Sequence, residues 1–94
     1  MSDLSVVATL AAKPGTEKEV AAALGKLAAA TRDEAGCISY EVFESASTPG
    51  TFVTIERWKG QSDLDAHMKS PHLAEALAEH GANLEVAIHP LKDI

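Results

Sequence analysis

Two hydrophobic rhythms alternate along the chain. Leu4 to Ala12 is a short apolar run with β-branched Val6, Val7 and Thr9, closed by Lys13-Pro14-Gly15, and reads as a strand and a turn. From Thr16 the period changes. Val20, Leu24, Leu27 and Thr31 fall at steps of four, three and four, one stripe of a helix. Thr16 is the expected cap, with Glu19 reaching back to it and Glu17 favoured by the positive end of the helix dipole. Gly36 is expected to end this helix in a left-handed conformation. Cys37 to Ser45 then reads as a second strand with Ile38, Tyr40 and Val42 on one face, and Ala46 to Gly50 as a turn. Thr51 to Trp58 is a third strand, in which Val53 and Ile55 alternate against Phe52, Thr54, Glu56 and Trp58. The short connection pairs strands two and three as an antiparallel hairpin. Ser62 with Asp65 is expected to cap a second helix carrying Leu64 and Met68. Ser70-Pro71 interrupts that helix, and Ser as cap with Pro at the first helical position restarts it through Leu73 and Leu77 to about Gly81. Leu84 to Leu91 is the last strand, with Leu84, Val86 and Ile88 alternating against Glu85 and His89.

The order β-α-β-β-α-β predicts an α+β, ferredoxin-like arrangement: a four-stranded antiparallel sheet with its helices on one face, in one domain spanning 1–94. Because both faces of the third strand carry large apolar groups, the face without helices predicts a partner. The simplest is a second copy, giving a homodimer whose sheets enclose a pocket. Composition points the same way. Hydrophobic residues make up 46% of the chain, but Ala supplies much of that fraction, and a small-residue core gains from association. A net charge of −6 without a basic patch predicts no nucleic-acid and no membrane partner. The lone Cys37 allows no intrachain disulfide and suggests a reducing compartment. Met1-Ser2-Asp3 has neither a charged leader nor an apolar signal core, so the expected location is cytoplasmic.

Three clusters carry the candidate chemistry: Gly36-Cys37-Ile38-Ser39-Tyr40, Glu56-Arg57-Trp58, and His67-Met68-Lys69-Ser70-Pro71-His72. Strand pairing and the following helix can gather them on one side of the sheet. His67 is the preferred acid/base candidate, since imidazole titrates nearest neutrality; its plainer reading is a hydrogen bond near the break at Ser70. Glu56 shares the parity of Trp58, so it either points inward or sits at a solvated rim, paired with an Arg or Lys. Trp58 and Tyr40 read equally as core or as pocket wall. Cys37 reads as a small buried filler. His67, His72, His80 and His89 contain no pair at the i, i+4 spacing that brings two imidazoles onto one ion, so no metal is expected. The chain also lacks G-x-G-x-x-G, a phosphate loop and a haem-attachment Cys pair. No cofactor is expected, and any redox chemistry would have to use the substrate's own electrons.

The three clusters, in this order and spacing, resemble the signature of the antibiotic biosynthesis monooxygenase family. The resemblance covers nearly the whole chain. It implies a dimeric α+β barrel with a pocket in each subunit between sheet and helices. Some branches of the family are oxygenases of polycyclic phenols or quinols; others degrade haem or process a small signalling metabolite. The haem-degrading branch carries an Asn on strand one, a Trp in the second helix and a His ten residues beyond it. This chain has no Asn in Leu4–Ala12, and the other two positions fall on His67 and Leu77, which disfavours haem degradation. The phenol-oxidising branch matches at Trp58 but carries Asn where Thr54 stands, and Thr can still donate a hydrogen bond. The resemblance therefore implies a cofactor-independent monooxygenase acting on a quinol or related electron-rich aromatic with dioxygen. His67 or Glu56 would serve as base, and Tyr40, Phe52, Thr54, Trp58, Met68 and His72 would bind substrate. The competing expectations are a small-metabolite isomerase or degradation enzyme of this fold, and a dimer that binds a small ligand without turnover.

Overall fold

The computed structural model describes residues 3–94; Met1 and Ser2, part of the stretch read for a leader, lie outside the described residues. The elements are β1 (Leu4–Ala12), α1 (Glu17–Arg32), β2 (Cys37–Glu44), β3 (Thr51–Trp58), α2 (Gln61–Met68), α3 (Pro71–His80), a 3-10 turn (Gly81–Asn83) and β4 (Leu84–Leu91). The strands form one antiparallel sheet in the order β2-β3-β1-β4. This is the ferredoxin-like α+β fold, with the second helix divided at Ser70-Pro71. The Ser70 hydroxyl accepts from the Leu73 amide while Pro71 opens α3, as that pair of residues predicts. No helix among the described residues is long and apolar enough to cross a membrane.

Register decides which side chains meet the helices. Leu10 lies opposite Phe52, Ala8 opposite Thr54, and Val6 opposite Glu56; Tyr40 lies opposite Glu56 from the other side. Residues directly opposite share a face, so the helices cover the Phe52, Thr54, Glu56 and Trp58 side of β3. The reverse face presents Val7, Phe43, Val53, Ile55 and Leu91, of which Phe43, Ile55 and Leu91 are about half exposed. Among the described residues, no element covers it. The predicted α1 stripe is the buried one: Val20, Leu24, Leu27 and Thr31 all lie inside. Around it, Ala8, Leu10, Val20, Leu24, Leu27 and Phe52 form one cluster, and Val6, Ala28, Tyr40, Trp58 and Leu64 a second.

Several local expectations give way to different solutions. Thr16 makes no side-chain cap. Its hydroxyl donates to the Lys13 carbonyl, and Glu17, not Glu19, reaches back to accept from the Gly15 amide. Both contacts tighten the turn before the helix, where Gly15 takes a φ of 92° that only glycine holds without strain. Gly50 does the same after Pro49, at a φ of 88°. Gly36 is not left-handed. Helix α1 ends at Arg32, and a Cβ at Gly36 would run into the Asp63 side chain, so glycine is needed there for space. Gly60, rather than Ser62, precedes α2, and Asp65 instead accepts from the Gln61 side chain one turn back. A bulge between Cys37 and Ser39 throws Ile38 off the face of Tyr40 and Val42, leaving it 44% exposed.

Candidate functional site

Three consecutive inward positions of β3 make a closed polar unit. The Thr54 hydroxyl donates to one Glu56 oxygen at 2.6 Å, and the Trp58 indole N–H donates to the other at 3.0 Å. Because strand side chains alternate, residues two apart stand side by side on one face, which is why the strand itself can assemble this unit. Glu56 therefore points inward. Its partners are two neutral donors rather than the Arg or Lys that the plainer reading supposed.

Against this unit lies the imidazole of His67, from the last turn of α2. Its ring centre is 4.8 Å from that of Trp58 and 5.7 Å from that of Tyr40. Tyr40 is fixed from behind, since the Arg32 guanidinium donates to its backbone carbonyl at 2.8 Å. Burial pushes the Tyr40 phenol well above its ordinary pKa, and the nearby Glu56 carboxylate adds to the effect. Cys37 is shifted upward for the same first reason, with Glu34 next, which suits a filler and not a nucleophile.

Glu34, in the turn between α1 and β2, completes the arrangement. One of its oxygens lies 2.7 Å from His67 Nδ1 and 2.8 Å from His72 Nε2. A neutral His67 ring that donates from Nδ1 to this carboxylate leaves its other nitrogen, Nε2, as an acceptor. The reading from residue types alone missed Glu34. The available signal was a carboxylate two residues ahead of Gly36, but adjacent Asp33 carried the same signal, and only the turn distinguishes them.

A pocket of about 320 Å³ opens between sheet and helices. Its deep end is polar, formed by Tyr40, Thr54, Glu56 and His67; Ala8, Leu10, Leu64 and Leu73 supply apolar wall. Met68, Leu77, Val86 and Ile88 also line it but remain roughly half exposed, which makes them its rim. Of the residues singled out by sequence, His67, Glu56, Tyr40, Thr54 and Met68 meet here. Phe52 does not: at 2% exposed it belongs to the aliphatic cluster under α1. Trp58 is wholly buried behind Glu56 and His67, a support and not a wall. His72 reaches the site through Glu34 and lies outside the pocket lining.

The profile of the antibiotic biosynthesis monooxygenase family matches residues 3–79. A relative from Mycobacterium tuberculosis, named "Putative monooxygenase Rv0793", is 35% identical over 80 residues, covering 85% of this chain and 78% of its own. The solved structure of Rv0793 superposes with a TM-score of 0.89, covering 99% of this chain and 96% of that one. PA3566 from Pseudomonas aeruginosa superposes with a TM-score of 0.91 at 27% identity, covering 100% and 96%. By fold, by family profile and by sequence relationship, the chain belongs to the antibiotic biosynthesis monooxygenase family.

Proposed function

We propose that this protein is a cofactor-independent monooxygenase for a quinol or related electron-rich aromatic, working as a cytoplasmic homodimer. The observation that carries the reading is the pocket itself. A planar apolar substrate would fit its aliphatic wall, and its polar end presents an imidazole already aligned by a carboxylate. In this scheme His67 Nε2 takes the phenolic proton, while Glu34 holds the ring in the required tautomer and stabilises the imidazolium that forms. Both Glu56 oxygens already accept hydrogen bonds within β3, so Glu56 is better suited to holding Trp58 and Thr54 in place than to serving as base.

The reaction balances without an added reductant. A hydroquinone and dioxygen give a hydroxyquinone and water: the ring supplies four electrons, one oxygen atom replaces a ring hydrogen, and the other leaves as water. Proton removal at the phenol raises the electron density that dioxygen draws on. Burial of the deep end excludes water from the oxygenated intermediate. Dimerisation is supported by the uncovered apolar sheet face around Ile55 and Phe43. A sedimentation experiment at micromolar concentration should return twice the chain mass.

An oxygen electrode and a panel of hydroquinones test the activity, with mass spectrometry for incorporation of labelled oxygen. His67→Ala should lower turnover by about 10²–10⁴-fold in a protein that remains folded. Unchanged turnover in that variant removes His67 as the base. Absence of oxygen uptake across the panel, with an aromatic ligand still bound, would identify a binding protein instead.

A further inference from the structure

Glu34, His67 and His72 come from three separate segments: the α1–β2 turn, the end of α2 and the first turn of α3. Their ligating atoms, one carboxylate oxygen and two imidazole nitrogens, lie within 4.8 Å of one another. The two histidines are five apart in sequence, a spacing that a continuous helix would splay. The break at Ser70-Pro71 turns α3 back so that both rings meet one carboxylate. The expectation that no histidines could share an ion rested on i, i+4 spacing within one helix, and this geometry escapes it.

We propose that Glu34, His67 and His72 form a binding site for a divalent first-row transition-metal ion. Two imidazoles and a carboxylate suit zinc, cobalt or nickel, whereas the all-oxygen shells of magnesium and calcium find no match here. Metal–ligand lengths near 2.0–2.2 Å place neighbouring donor atoms about 3–3.5 Å apart. The carboxylate oxygen stands 2.7 and 2.8 Å from the two nitrogens, and all three donor atoms lie within 4.8 Å, so seating an ion calls for side-chain adjustments that bring all three separations to about 3–3.5 Å. Glu34 and His72 are partly exposed, which gives an ion entry and leaves room for water to complete its shell.

Binding would have a chemical consequence for the pocket, and this consequence rests on the base role proposed above. Coordination uses the Nδ1 lone pair of His67, so the single ring proton must reside on Nε2. Nε2, the nitrogen assigned above as base, then becomes a donor and ceases to be a base. The metal would inhibit the proton transfer, and no electrons change hands.

The test is binding, measured apart from turnover on the tag-free full chain. Isothermal calorimetry with Zn²⁺ should give one ion per chain, and Co²⁺ should show visible absorption of a low-coordinate site that Zn²⁺ abolishes. His72→Gln and Glu34→Gln should each weaken Zn²⁺ binding at least about 10–100-fold, the range typical of disturbed ligand support. His80→Gln and His89→Gln, which lie outside the three-residue cluster, should bind as the parent does. Thermal melting would establish that each variant is folded. No binding by the parent chain, or equal binding by His72→Gln and Glu34→Gln, overturns the site. If Zn²⁺ binds as described but leaves turnover unchanged, the metal site stands and the base assignment to His67 falls.

Discussion

The two buried clusters under α1 are neighbours in one helix–sheet layer, yet they are built on different principles. Beneath the stretch of the helix from Val20 to Leu27, Val20, Leu24 and Leu27 pack on Ala8, Leu10 and Phe52, and every side chain is apolar. Beneath its end, Ala28 packs beside Tyr40, Trp58 and Leu64, next to buried Glu56, Thr54 and His67. The first cluster asks only for shape and volume. The second carries polar groups whose burial is costly unless each finds a partner, and among the described residues no buried side-chain nitrogen or oxygen lacks one. Matched polar groups in this much of a small interior are what the proposed site would require.

The contrast can be broken from either side. On the aliphatic side, Leu24→Ala should have the largest effect on stability, about 2–5 kcal/mol by urea denaturation, with turnover per folded molecule retained. Loss of turnover in the folded fraction would show that the two clusters are not separable. On the polar side, Glu56→Leu should cost about 1–3 kcal/mol, because the fully buried indole N–H of Trp58 loses its acceptor. Glu56→Gln should recover most of that loss: the amide oxygen accepts from Trp58, and the amide N–H donates to a reoriented Thr54 hydroxyl. Should both variants denature alike, the hydrogen bonds are not what holds this end together.

The smallest effect concerns alkaline pH. The folded state raises the pKa of the Tyr40 phenol, so the unfolded chain loses that proton first. The phenol's contribution is therefore intact below about pH 10, the ordinary tyrosine value, and declines as pH rises past it. Since Tyr40 is the only tyrosine, phenolate absorbance reports it alone. Ionisation should track unfolding above pH 10; a phenolate forming near pH 10 in the native protein would mean that this end is open to water.

Much of the architecture follows from local rules that a linear chain displays openly. Helix α1 announces itself through the spacing of Val20, Leu24, Leu27 and Thr31, and β3 through its alternation, because each period is a property of one element. Ser70-Pro71 likewise marks its helix start with chemistry contained in two residues. The failures share a different cause. Thr16 sits at the start of α1, where the preceding turn takes its hydroxyl, and Gly36 lies beyond the helix end, just before β2, where the neighbouring Asp63 side chain requires space. Ile38 leaves its expected face because a bulge resets parity without leaving a mark in composition.

For the site, the chain by itself determined which residue types were available and that Thr54, Glu56 and Trp58 would share a side, since alternation along a strand is intrinsic to its backbone. Only the tertiary structure decided that Phe52 is core, that Trp58 stands behind the pocket, and that Glu34 meets His67 and His72. Those outcomes depend on how α1, α2 and α3 are laid against the sheet. Contacts between residues more than thirty positions apart arise from that packing, and no local period encodes them.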